Sequence, residues 1–148
     1  MAGTKLHIAR AMTTTCALDA AQLDAITDKI IAAAIRVHRN LGPGLLELTY
    51  RACLAFELAQ EGSDVQTEVA LPVHYSGVRI DCACRIDMVV DNHVFVAIRA
   101  VERLERVHAS QLLTYLRLGN APVGLLINFN VPLLCEGVRR VVNEFPDR

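Results

Sequence analysis

An α+β (α/β) fold, with a mixed central sheet flanked by helices, is what the order of periodicities in this sequence predicts. Two stretches with apolar residues at helical spacing come first. Three stretches of strand alternation follow, and a further helical stretch leads into a short, wholly apolar run.

The first 22 residues read as a tail, loose or ordered only by a partner, with a threonine run at Thr13–Thr15. A single domain is expected over 23–148. Its first helix is expected from Thr27, a fair N-cap, with Asp28 complementing the helix dipole. Ile30, Ile31, Ala34, Ile35 and His38 recur at helical spacing, and Gly42-Pro43-Gly44 stops the run. A second helix is expected over 45–61, with Leu46, Tyr50, Cys53, Leu54 and Leu58 as its apolar stripe. Val65, Thr67, Val69 and Leu71 then alternate as in a strand. Ser76-Gly77 signals a hairpin turn into a strand over 78–90. Strict alternation there puts Ile80, Cys82, Cys84, Ile86, Met88 and Val90 on one face, and Asp87 and Val89 on the other. Asp91-Asn92 turns into a third strand over 93–101, with Val94, Val96 and Ile98 opposite Phe95, Ala97 and Arg99. A helix over 107–118 closes at Gly119-Asn120. The apolar run 122–129 suits a strand buried on both faces. The end, 137–143, fits a strand or a short helix equally well.

Length and composition narrow the function classes. A chain of 148 residues suits one core. Its apolar fraction of 53% is high, which implies either a dense core or surface hidden in a homo-oligomer. The limited interior of so short a chain favours the oligomer. No apolar run has the length of a membrane span, and the start lacks the pattern of a secretory signal, so the expected location is cytoplasmic. A net charge of −1 gives no general basic field. Nucleic acid would have to meet a local patch, for which Arg79, Arg85, Arg99, Arg103, Arg106 and Arg117 are candidates; a solvated face is the plainer account of them. Five cysteines at irregular spacing argue against a disulfide framework. Cys82 and Cys84 could share a strand face, but no second pair has zinc spacing.

One motif is more specific. Gly44-Leu45-Leu46-Glu47-Leu48-Thr49-Tyr50 reads G-x-x-E-x-x-Y. With it come the runs 37–44, 71–73, 85–87, 100–102, 111–116 and 124–132, in order. Together they make the chain resemble the GxxExxY proteins, a branch of the PD-(D/E)XK nuclease superfamily. The resemblance implies an αβββαβ core, which agrees with the periodicities, and a site using magnesium or manganese. It implies that Glu47 lies near the metal, that Asp87 is a direct ligand, and that Gln111, with Tyr115 one turn on, assists. It further implies a Glu-x-Lys pair at positions 97 and 99.

The chain departs there: it has Ala97-Ile98-Arg99. Ala97 removes a carboxylate from a cation that prefers several oxygen ligands. Arg99 stays protonated at any working pH, so it cannot act as a base, though it could pair with Asp87 or Glu47 or hold a phosphate. The expectation is a catalytically dead or impaired nuclease-like domain with a binding or assembly role. The alternatives are a residual metal-dependent phosphodiesterase using Asp87 and Glu47, and a structural self-assembling protein. His38 and His108 read as hydrogen-bonded helix-end residues, and Asn128 and Asn130 as strand-end caps. Glu102 falls on the wrong strand face to replace the missing carboxylate.

Overall fold

The computed structural model describes residues 17–143. Most of the expected tail, residues 1–16, lies outside the described residues, as do the side chains of Cys82 and Ala83. Helix α1 (Ala20–Leu41) and helix α2 (Glu47–Gln60) lead into strands β1 (Val65–Tyr75), β2 (Val78–Val90) and β3 (Val94–Arg99). Helix α3 (Arg106–Gly119), strand β4 (Val123–Asn128), a 3₁₀ turn (Leu134–Gly137) and strand β5 (Val138–Val142) complete the order. The sheet runs β1-β2-β3-β4-β5. β3 and β4 are parallel and every other neighbouring pair is antiparallel. The C-terminal ambiguity resolves as a strand.

The first helix begins earlier than Thr27. Asp19 caps it: its carboxylate accepts the Gln22 amide at 2.8 Å, and Gln22 Oε1 accepts the Asp19 amide at 2.9 Å. This reciprocal box satisfies two otherwise orphaned donors. Thr27 lies within the helix, buried, its hydroxyl donating to the Asp24 carbonyl. In α2 the expected stripe holds for Tyr50, Leu54 and Leu58, which are fully buried, but not for Leu46, which precedes the helix and is 77% exposed.

Helices cover both faces of the sheet. On one side α1 and α2 pack through Ile30, Ala34, Tyr50, Leu54 and Leu58 onto Met88, Val96, Ile98, Leu125 and Ile127. On the other, Leu112 and Leu116 of α3 pack onto Val69, Ile86, Phe95, Ala97 and Leu126. All six residues of β4 are buried, as its apolar run requires. Gly119 lets α3 sit close. A Cβ there would collide with the Phe95 ring, which is fully buried. Gly119→Ala is therefore expected to destabilise by about 1–3 kcal/mol in denaturant unfolding, although alanine is the better helix former.

The alternation of β2 is not strict. Ile86 and Val89 face α3, whereas Met88 and Val90 face α1 and α2. The faces exchange at Asp87. Its neighbour in β1, Glu68, has a left-handed backbone (φ 52°), and β1 exchanges faces there too: Val65 packs on one cluster, Val69 and Leu71 on the other. Beyond this point β2 leaves β3, since their pairing is confined to Met88↔Val96, Val89↔Phe95 and Val90↔Val94. The β1–β2 ribbon continues alone to its turn at Ser76-Gly77.

Candidate functional site

The splay between β2 and β3 creates the site. Where the ladder stops, side chains take over the backbone donors leaving β3. The Ile98 amide donates to Asp87 Oδ2 at 2.8 Å, the Ala100 amide to Glu47 Oε2 at 3.3 Å, and the Val101 amide to Asn128 Oδ1 at 3.0 Å. The part-buried Ile98 and Val101 amides need such partners. Asp87 and Glu47 thus have a structural task independent of any metal. Asn128 also donates to the Val101 carbonyl, so it clips the strand exit from both sides.

Arg99 lies across the same point. Its Nη1 is 3.3 Å from Asp87 Oδ2 and donates to the Ile98 carbonyl at 2.8 Å; its Nη2 donates to Gln111 Oε1 at 2.8 Å. Gln111 is on α3, so one guanidinium ties that helix to β2 and β3. From the opposite side, Arg51 of α2 approaches Asp87 Oδ1 at 3.7 Å and Glu68 at 3.2 Å. Both arginine side chains are only 17% exposed, so these charges are partly shielded from water.

The structure thus joins Asp87, Arg99 and Gln111 directly. Glu47 stands beside them in an open cleft of about 470 Å³, lined by Leu45, Leu46, Glu47, Leu48, Arg51, Asp87 and Ala100. Ala97 does not line that cleft. It is 2% exposed, within the core under α3. Extending the β2–β3 register by one step would nonetheless set it opposite Asp87. Tyr115 packs against the same α3 core.

Burial pushes the Tyr115 phenol above its usual 10; Cys84 and Asp87 add to the rise, while Arg99 and Gln111 oppose it. Tyr115 therefore stays protonated at neutral pH and is no base. Because its folded pKa is raised, its contribution to stability is whole below about pH 10 and is lost as pH climbs through the folded value. Absorbance titration should show the phenolate transition that Tyr115→Phe removes to have its midpoint above 10.

Arg51, which sequence reading passed over, is a full member of the network. Its signal was its position one helical turn after Glu47, on the same face. Tyr50 points elsewhere: it is fully buried and stacked on Phe129 at 4.4 Å. Of the suspected arginine patch, Arg79 pairs with Asp81 and Arg99 with Asp87. Arg106 and Arg117 stand at opposite ends of α3. His38 binds the Val131 carbonyl at 2.8 Å, and His108 accepts the Glu105 amide, as helix-end roles predict.

The donor set does not suit a magnesium or manganese ion. Such a cation needs about six oxygens in near-octahedral array. Asp87 Oδ2 already takes an amide and a guanidinium, its Oδ1 faces Arg51, and one oxygen of Glu47 takes an amide. Position 97 supplies a methyl group. Among the described residues no three ligand-type side chains gather as a metal site. Nor is any helix of the described residues long and apolar enough to cross a membrane.

No curated protein matches the chain. Among solved structures it is similar to the protein SSO0001, at 15% identity and a TM-score of 0.46, over 98% of this chain and 78% of that one. It is also similar to an alkaline exonuclease from Laribacter hongkongensis, at 10% identity and a TM-score of 0.45, over 97% and 83%. The profile of the PD-(D/E)XK nuclease superfamily matches residues 24–141. That match takes in the helices, the splayed strands and every residue of the Asp87 network: the chain belongs to the PD-(D/E)XK nuclease superfamily.

Proposed function

We propose that this chain is a GxxExxY-type member of the superfamily whose nuclease chemistry is lost and whose remaining role is binding. One observation carries the reading: the Arg99 guanidinium lies against Asp87 at 3.3 Å, where the family's metal would be expected. A fixed cation there balances the carboxylate but cannot bind and acidify a water as a metal does. Within the network neither Arg99, a guanidinium, nor Tyr115, whose phenol is pushed above its usual range, suits the part of a general base. Asp87 also serves the part-buried Ile98 amide, which needs an acceptor, and Glu47 accepts the Ala100 amide at a more exposed position.

The test is direct. Single- and double-stranded DNA and RNA are incubated with the protein and magnesium or manganese. The expected result is no cleavage above a no-protein control. Cleavage that disappears in Asp87→Asn would establish instead a residual metal-dependent phosphodiesterase.

Self-assembly has a separate observation in its favour. On the β1–β2 ribbon, Tyr75 pairs with Val78, and Val73 with Ile80. Tyr75, Val78 and Ile80 are 69%, 59% and 42% exposed. A two-stranded ribbon gains stability when such a face is covered. Light scattering at working concentration decides this, a monomer ruling assembly out.

A further inference from the structure

The cleft beside Asp87 has an unusual rim. Leu45, Leu46 and Leu48 are 40%, 77% and 62% exposed within four consecutive residues. Single exposed leucines are ordinary, but three together around a concavity mark a contact surface. The charges of the network are Glu47, Glu68 and Asp87 against Arg51 and Arg99, which leaves one carboxylate in excess. Glu68 and Asp87 are held by the arginines, so the excess resides on Glu47, whose contact is a single long amide bond.

We propose that this cleft docks a lysine side chain carried on an apolar segment of a partner protein. Its alkyl stem lies along Leu45, Leu46 and Leu48, and its ammonium meets Glu47. This rests on the reading that no metal claims Glu47. A phosphate backbone is disfavoured, because Glu47 repels it and both arginines are engaged. A wholly apolar partner would strand a desolvated carboxylate. An arginine fork is best met by two unshared carboxylate oxygens, and Glu47 Oε2 already shares the Ala100 amide, whereas an ammonium needs only one oxygen. The volume, about 470 Å³, lies in the range of roughly 300–1,000 Å³ usual for ligand clefts.

The probe is an acetylated, amidated pentapeptide, alanyl-leucyl-lysyl-leucyl-alanine, followed by amide NMR shifts. Controls are the same peptide with norleucine for lysine, and spermidine. All titrations are run in EDTA, so a metal cannot decide the outcome; metal binding is measured separately and its result bears on the function reading alone. The expected result is saturable shifts at residues 45–48 and Ala100, with the norleucine peptide about tenfold weaker. Glu47→Gln should erase the preference for lysine over norleucine. Leu46→Ser, at an exposed cap position that favours serine, should keep the fold and weaken the peptide about threefold or more. Absence of saturable shifts overturns the proposal. So does spermidine binding as tightly as the peptide, or peptide binding that ignores Leu46→Ser.

Discussion

Ala97→Glu together with Arg99→Lys is expected to convert a domain indifferent to manganese into one whose melting temperature rises with it. The double variant restores a third carboxylate at the step of register opposite Asp87, and removes the guanidinium that occupies Asp87 Oδ2. Without metal it should be less stable than the parent by about 2–4 kcal/mol. Position 97 is buried under α3, and a carboxylate there needs a partner. At a manganese concentration about a hundred times the dissociation constant, binding should return roughly 2.7 kcal/mol. For a chain of this length that corresponds to a rise of about 5 °C or more. Any cleavage of nucleic acid should rise from background by at least about 10²-fold, the usual worth of one preorganised electrostatic group. A variant that folds but shows neither the thermal response nor the activity would mean that the splayed strands no longer present a metal-competent geometry.

Tyr50→Ala should be among the most damaging single changes, at about 3–5 kcal/mol. The side chain is fully buried against Phe129. Its hydroxyl donates to the Gly42 carbonyl and accepts the Leu45 amide at 3.1 Å, so it fastens the Gly-Pro-Gly loop to the start of α2. Tyr50→Phe keeps the ring but orphans both loop groups, and should cost about 1–3 kcal/mol. Urea unfolding of the two variants separates ring from hydroxyl. The tyrosine of the G-x-x-E-x-x-Y word is thus a structural residue. It fastens the turn that presents Glu47.

The order of elements was legible because periodicity reports burial. The run 122–129 is apolar at every step because both faces of β4 are covered. The Gly42-Pro43-Gly44 break was legible because Gly42 and Gly44 both take positive φ. The start of α1 was not, because the regular apolar spacing sets in near Ile30 while the capping pair, Asp19 and Gln22, lies a full two turns upstream. The exchange of faces at Asp87 left no trace for a deeper reason. Helices cover both sides of the sheet, so Ile86 and Met88 are apolar whichever side they take. Only the left-handed backbone of Glu68 marks the event, and no glycine or asparagine stands there to announce it. The site was half legible. The resemblance brought Asp87, Arg99 and Gln111 to attention, and the structure joins them. It could not show that Ala97 turns into the core, or that Arg51 closes the network from α2.

Whether Arg99 holds the place of a metal is decided by titrating the unmodified protein with manganese in a calorimeter. Heats of dilution alone are expected up to about 1 mM, because the oxygens of Asp87 are engaged by an amide and two guanidinium groups. Saturable binding that vanishes in Asp87→Asn would mean that a metal can displace the guanidinium and that Arg99 does not hold its place.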